Sequence, residues 1–182
     1  MSDPSDILSP IDVQGHGSHT ASTAAGNIVP NASLFGLAKG MARGAVPLAR
    51  LAIYKICWTE DGCADMDILA AFEAAIHDGV DVISVSLGGG NENYVQDSIA
   101  IGAFHAMRKG IVTVASAGNG GPTMATVVNN APWIVTVAAS GIDRDFQSTV
   151  ELGSRKNVSV SFIIWFFLIE NTSLKSEPSD FD

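Results

Sequence analysis

The 182-residue sequence has few charged residues, and positive charge is the scarcest kind. It contains 10 Lys and Arg against 19 Asp and Glu, which gives a formal net charge of −9. The basic residues are scattered along the chain, never more than two in a row, and form no patch. Because a nucleic-acid-binding surface needs a basic face to neutralise phosphates, we expect no nucleic-acid partner.

Long hydrophobic runs are also missing. The longest is FIIWFFLI at residues 162–169, whereas a helix that crosses a bilayer needs about 20 apolar residues. The first ten residues, MSDPSDILSP, have neither the basic flank nor the apolar core of a secretory signal peptide. The printed chain therefore predicts neither a membrane partner nor an export signal of its own.

Cysteine is limited to Cys57 and Cys63. Two cysteines at this spacing can close one small loop or remain free thiols, and the sequence leaves both alternatives open. They are too few for a cysteine-based zinc framework.

The chain consists instead largely of small and apolar residues. Hydrophobic residues make up 47% of it and 18 residues are glycine, which favours buried parallel strands in one packed domain. From residue 49 onward, apolar runs alternate with helical patterns. Strands are predicted at 49–57, 80–86, 111–115 and 133–138, and helices at 65–78 and 97–109. Asp65 and Gly79 are the expected N-cap and stop of the first of these helices. This alternation predicts an α/β fold with three layers, in which helices lie on both faces of a parallel sheet.

Two glycine-rich stretches directly follow predicted strands. SLGGG occupies residues 86–90, and SAGNGG occupies residues 116–121. Because parallel sheets bind ligands beyond the carboxyl ends of their strands, we expect both stretches at the functional edge. Neither matches the dinucleotide-binding or P-loop motif, which argues against a nucleotide-binding domain, a further alternative for this fold class.

A third feature lies near the N-terminus, where His16 and His19 occur in GHGSHTAS. A zinc site needs three or four ligands, and the glutamate of H-E-x-x-H is missing, so we expect no metal. A histidine at the start of a Ser/Thr/Ala-rich helix, predicted here at 19–25, suits a general base because the helix fixes it at an exposed end. An asparagine on a glycine-rich turn, such as Asn119, can donate to a developing oxyanion.

Five stretches together resemble the subtilisin-like serine proteases, specifically the cucumisin-type subtilases of plants. They are GHGSHTASTAAG, LAIYKICW, GVDVISVSLGGG, DSIAIGAFHAMRKGIVTVASAGNGGP and APWIVTVAAS, and they occur in the family's order. The resemblance implies a partial subtilisin-like fold over residues 1–156, serine endopeptidase activity, a polypeptide substrate, no cofactor and an extracellular location. Residues 157–182 continue no βαβ pattern and are expected to be a divergent tail outside the fold.

The resemblance also implies roles for individual residues. His16 matches the triad base and Asn119 matches the oxyanion-hole asparagine. His19 matches the motif's second histidine, and we expect it to be a packed, hydrogen-bonded helix residue that supports the site. His77 and His105 are expected to be structural or to face solvent. The residues expected to bind the substrate's primary side chain and its backbone are Ser86, Leu87, Gly88, Gly89, Ala117 and Gly118.

Two parts of the family's triad are not recognisable in the printed chain. Triads of this type run Asp, His, Ser along the sequence, but no D-T-G motif precedes His16, and residues 121–124 read GPTM, not G-T-S-M. Asp12 is expected to belong to the approach loop rather than to pair with the imidazole. We therefore expect a truncated protease fragment that is inactive alone, because a triad acts as a unit. The alternative is a non-catalytic peptide-binding or regulatory remnant.

Overall fold

The structure is a computed structural model that describes residues 8–58, 62–90, 92–141 and 147–161. The helices in these ranges are α1 (His16–Ala25), α2 (Asp65–Asp78) and α3 (Ser98–Met107). The first strands are β1 (Val29–Leu34), β2 (Leu37–Ala42), β3 (Cys57–Trp58) and β4 (Gly62–Cys63). The remaining strands are β5 (Val82–Val85), β6 (Val112–Ser116), β7 (Ile134–Val137), β8 (Gln147–Glu151) and β9 (Asn157–Ser161).

Three strands form a parallel sheet in the order β5-β6-β7. Val85 lies opposite Ala115, and Ala115 lies opposite Thr136, so the strands leave the sheet at a common edge. Helix α3 connects β5 to β6, which is a βαβ crossover. The predicted α/β class with a parallel sheet is confirmed. The other strands pair as antiparallel hairpins, β1 with β2, β3 with β4 and β8 with β9.

The core lies between one face of this sheet and helices α2 and α3. Ile68 and Phe72 of α2 pack there with Val85 and Ile134 from the strands. Helix α3 contributes mostly small residues, Ala100, Ala103 and Ala106, all fully buried. Because small side chains let backbones approach closely, α3 can lie directly on both α2 and β6.

The boundaries of α2 and α3 follow local signals. Helix α2 spans the predicted residues and ends at Gly79, whose φ of 72° is left-handed. Its N-cap is Ala64, so the prediction that Asp65 is the cap is wrong. The Asp65 carboxylate instead accepts a hydrogen bond from the Ser98 hydroxyl at 2.9 Å. Helix α3 is capped by Asp97, whose side chain accepts hydrogen bonds from two backbone amides.

The predicted strand at 49–57 is wrong. Residues 51–56 have no strand conformation, and only Cys57–Trp58 pairs, with Gly62–Cys63 across a short hairpin. A disulfide between Cys57 and Cys63 closes this hairpin and resolves the two alternatives for the cysteines. Leu51 and Ile53 are each 53% exposed, because no strand in the described ranges lies beside this run to pair with it.

The second face of the parallel sheet carries exposed valines. Val82, Val112, Val135 and Val137 are 57%, 48%, 51% and 51% exposed. This exposure shows that none of the described elements, α1 included, covers these valines.

Residues 157–161, at the start of the expected tail, form β9 and pair with β8. The aromatic run at 162–169 lies outside the described residues. Within the described ranges, no helix combines the length and apolar character needed to cross a bilayer.

Candidate active site

The two glycine-rich stretches lie side by side at the carboxyl edge of the sheet. Ser86–Gly89 follows β5 and Ala117–Asn119 follows β6, and these strands are paired in parallel up to Val85 and Ala115. The Ala117 amide donates to the Val137 carbonyl at 2.9 Å, which ties this stretch to β7 as well. The expected substrate-binding residues of both walls therefore meet at one edge, as the topology predicts.

A residue that the sequence analysis missed joins the two walls. Asn129 Nδ2 donates to the carbonyl oxygens of Leu87 and Ser116, at 2.8 Å each. The backbone carbonyl of Asn129 accepts a hydrogen bond from the Thr136 hydroxyl on β7. The sequence signal was the pair Asn129-Asn130 in a loop, since asparagine tolerates the left-handed conformation that Asn129 adopts, with φ 54°. The pair alone does not predict which of the two asparagine side chains is buried.

Val128 fills the space between the walls. A Cβ atom on Gly88 would lie 2.7 Å from Val128 Cγ2, and one on Gly118 would lie 2.9 Å from the same atom. Glycine is therefore required at both positions by packing against Val128. Gly89 differs, because a Cβ there would meet no described atom within 4 Å. Of the two expected substrate-binding glycines in the first wall, Gly89 is thus the one with open space around it.

A cleft of about 180 Å³ opens beside the first wall. Leu87, Gly88 and Gly89 line it together with Val128 and Asn129. The remaining lining includes the start of α2, the start of α3 and three acidic residues, Asp65, Glu92 and Asp97. Across the described residues, no three His, Cys, Asp or Glu side chains converge in a way that could hold a metal ion.

Asn119 lies on the second wall, one residue beyond Gly118. Its side chain is exposed, and Gly118 has a left-handed φ of 85° that turns the chain there. An exposed carboxamide on a turn fixed by the sheet can donate to a ligand that enters the edge.

His16 is the first residue of α1 and is exposed. The helix begins three residues earlier than predicted, because Asp12 satisfies its free N-terminal amides. The Asp12 carboxylate accepts hydrogen bonds from the amides of Ser18 at 2.7 Å and Gly15 at 2.8 Å. The hydrogen bonds from Ser18 and Gly15 hold the pKa of Asp12 well below its usual value.

Helix α1 and the strand edge are separate parts of the candidate site. The hydrogen bonds that join α1 to residues 44–46 run from Gly44 to Gly26, from Ala45 to Thr23 and from Val46 to Ala24. No hydrogen bond among the described residues links His16 to Asn119. The structure thus brings together the walls expected to bind substrate and places His16 on a different element.

The other histidines are all exposed. His19 belongs to α1 and its amide donates to the Gly15 carbonyl at 2.9 Å, but its side chain faces solvent. The prediction that His19 is packed is therefore wrong, because α1 turns this face away from the described core. His77 and His105 lie on α2 and α3 with exposed side chains, as predicted.

Comparison with known proteins gives one consistent family. Residues 2–172 match a family model described as the subtilase family. The chain is 66% identical to subtilisin-like protease SBT4.14 of Arabidopsis thaliana, over 85% of this chain and 21% of that relative. It is 59% identical to subtilisin-like protease SBT4.15 of the same plant, over 79% of this chain and 18% of the relative. The chain thus spans about a fifth of the length of these curated relatives.

A solved structure, an S41 psychrophilic protease, superposes with a TM-score of 0.54 and 26% identity. The superposition covers 83% of this chain and 45% of that one.

Proposed function

This chain belongs to the subtilase family, and from that premise we propose that it carries part of a serine endopeptidase site. The observation that carries the proposal is the pair of glycine-rich strand ends held side by side, 86–89 and 117–119. One of these walls ends in Asn119, a donor suited to an oxyanion. The GHGSH turn that begins α1 supplies His16, a base at an exposed helix end.

In the complete site the reaction is acyl transfer to a serine hydroxyl. The serine oxygen attacks the carbonyl carbon of the scissile peptide bond while His16 accepts the hydroxyl proton. The carbonyl oxygen becomes an oxyanion, and the Asn119 carboxamide donates a hydrogen bond to it. His16 then gives the proton to the departing amine. In the second half, water attacks the acyl group, with His16 again accepting a proton and returning it to the serine.

The substrate is an extended polypeptide that lies along residues 86–89. A strand end presents backbone N–H and C=O groups, and an extended peptide can pair with them as an added strand. Gly89 supports this role because its Cα side is open. Ala117 and Gly118 form the opposite wall, so the peptide can contact both walls along this edge without inserting a side chain between Gly88 and Gly118, where Val128 fills the space.

We propose that the 182-residue chain alone does not hydrolyse peptide bonds. It contains no serine in a G-T-S-M context, so His16 has no hydroxyl proton to accept. A fluorophosphonate probe, which forms a covalent adduct with an activated serine, tests this. We expect no labelling of the purified chain, while a complete subtilase in the same buffer is labelled. Stoichiometric labelling of any serine in the chain would contradict the proposal.

A second candidate is a peptide-binding remnant without catalysis, favoured because the cleft beside Leu87–Gly89 is assembled without a nucleophile. Fluorescence anisotropy of labelled extended peptides should show saturable binding. Gly89→Val should abolish it by blocking the open backbone, without the internal clash that a change at Gly88 would cause. Gly153→Val is the matched control, since a Cβ there also meets no described atom within 4 Å and it lies in the β8–β9 turn. Absence of saturable binding by the wild-type chain, or equal binding by both variants, would remove peptide binding at Leu87–Gly89 as a candidate.

We propose an extracellular location for the protein. The Cys57–Cys63 disulfide supports it, because disulfides persist in oxidising compartments and are rare in the cytosol. Alkylation of the native protein before and after reduction, read by mass spectrometry, tests it. Two alkylated cysteines without prior reduction would argue for a reducing compartment.

A further inference from the structure

Asn129 is a buried polar residue that the proposed reaction does not use. The residue is 5% exposed, and its side-chain amide hydrogens have two acceptors, the carbonyl oxygens of Leu87 and Ser116. A carboxamide this buried is costly unless both hydrogens are bonded, and here both are. The position of the Asn129 side chain therefore depends on the Leu87 and Ser116 carbonyls, and the positions of these carbonyls depend on Asn129 in turn.

One acceptor, Leu87, belongs to the first wall and lines the cleft, and the other, Ser116, directly precedes the second wall. Leu87 lies two residues past the end of β5 and Ser116 is the last residue of β6, where the strand-to-strand ladder stops. The Asn129 amide bridges the walls at the point where backbone pairing no longer does. Its backbone carbonyl, bonded to the Thr136 hydroxyl, fixes it to β7 as well. One residue thus ties together the ends of all three parallel strands.

The neighbouring Val128 limits the approach of the same walls. Its side chain is wedged between Gly88 and Gly118, with no room for a Cβ at either glycine. Val128 therefore sets how close the walls can come, and the hydrogen bonds of Asn129 set how far apart they can move. The backbone amide of Val128 donates to the Ala117 carbonyl at 3.1 Å, which fixes the position of Val128 relative to the second wall.

We propose that Asn129 is a positioning residue that sets the spacing between the walls Ser86–Gly89 and Ala117–Asn119. It thereby determines how the cleft holds a peptide and where Asn119 points. This inference rests on the proposed function, in which these walls bind an extended peptide. It adds a residue, Asn129, that affects the substrate only through the position of the two walls.

Asn129→Gly is the informative variant. Glycine adopts the positive φ of this position freely, so the backbone keeps its path while both hydrogen bonds are lost. Asn130→Asp is the matched control, because Asn130 is the next residue, is exposed, and its side chain makes a single 3.4 Å hydrogen bond, to the Val127 carbonyl. The Asn130 backbone carbonyl, which accepts from the Tyr94 hydroxyl, is kept in this variant.

Two measurements on the full chain test the proposal. In hydrogen exchange followed by mass spectrometry, Asn129→Gly should raise exchange about tenfold in segments 86–90 and 116–120, with α3 unchanged, since local opening depends on local bonds. In the anisotropy titration, the same variant should weaken peptide binding about tenfold. Asn130→Asp should change neither.

The outcomes separate this inference from the proposed function. If the wild-type chain binds peptide but Asn129→Gly leaves exchange and affinity unchanged, the inference is overturned and the proposed function stands. If the wild-type chain binds no peptide, the peptide-binding role proposed for the two walls fails, and with it the functional part of the inference.

Should Asn129→Gly fail to fold, the wild-type chain itself provides the test. Scalar couplings across the hydrogen bonds from the Asn129 side chain to the Leu87 and Ser116 carbonyls are expected in a labelled sample. A freely exchanging Asn129 amide without these couplings would refute the inference.

Discussion

Asp12 lies outside α1 but accepts hydrogen bonds from the backbone amides of Gln14, Gly15 and Ser18 at the start of that helix. The N-cap position itself is Gly15, which has no side chain to cap with and a left-handed φ of 95°. A carboxylate at a helix N-terminus satisfies free amides and interacts favourably with the helix dipole. Because these amides flank His16 on both sides, the fixed position of the candidate base depends on Asp12.

We expect Asp12→Asn to destabilise the chain at pH 7 and to reduce the pH dependence of its stability in acid. The folded-state pKa of Asp12 lies below the unfolded value of 3.8. Its stabilising contribution is therefore fully present above about pH 4 and is lost as the pH falls through the folded-state pKa. Urea unfolding of wild type and variant between pH 2 and pH 7 measures this. The control is Asp81→Asn, an exposed aspartate away from any helix start. Parallel stability profiles for wild type and Asp12→Asn would contradict the prediction.

The helices could be predicted from sequence because their signals are local. The apolar spacing of α2 and the glycine at its end lie within the helix or next to it. Local signals could not decide whether residues 49–57 form a strand, since an apolar run becomes a strand only beside a partner. The start of α1 was missed for a related reason: Asp12 reaches an amide six residues along the chain.

The contact between α2 and α3 decides whether an alanine at Gly102 stabilises or destabilises the chain. Gly102 lies inside α3, where alanine would favour the helix by about 1 kcal/mol. However, a Cβ at Gly102 would lie 2.4 Å from Cγ and 2.9 Å from Cβ of Phe72. These atoms are near the Phe72 backbone and cannot swing away as the far end of a flexible chain could. Overpacking of this kind costs about 1–3 kcal/mol, so the clash outweighs the propensity gain.

We therefore expect Gly102→Ala to lower the free energy of unfolding, by up to about 2 kcal/mol. Chemical denaturation followed by circular dichroism measures it. Adding Phe72→Ala to Gly102→Ala should cost less than the sum of the two single changes, because the clash is then absent. Additive effects, or a more stable Gly102→Ala chain, would show that α2 and α3 do not approach this closely.

For the molecule as a whole, the candidate site could be predicted only where topology dictates it. The walls at 86–89 and 117–118 were placed at one edge because parallel strands end together. Asn129 could not be found, since its acceptors Leu87 and Ser116 are 42 and 13 residues away in sequence. The same topology predicted helices on both faces of the sheet, and α2 and α3 pack on one. In the described ranges the opposite face presents valines to solvent.

This valine face predicts self-association of the isolated chain. Val82, Val112, Val135 and Val137 form a contiguous apolar patch across three strands, of the kind that marks an interaction surface. The net charge of −9 opposes association, because the copies repel one another. Salt weakens this repulsion, since exposed charges more than about 8 Å apart are largely screened at 0.15 M. Sedimentation velocity should therefore show a weight-average mass that rises with protein concentration, and more steeply at 0.5 M salt than at 0.02 M.

Substitutions identify which surface is responsible. Val112→Thr with Val135→Thr places two hydroxyls at the centre of the patch while keeping β-branched side chains suited to strands, so the chain should stay monomeric at concentrations where the wild type associates. Val46→Thr with Val95→Thr is the matched control, because these valines are 59% and 75% exposed and lie outside the sheet. If the control pair abolishes association as effectively as the sheet pair, or if association falls as salt is added, the valine face is not the surface through which copies of this chain meet.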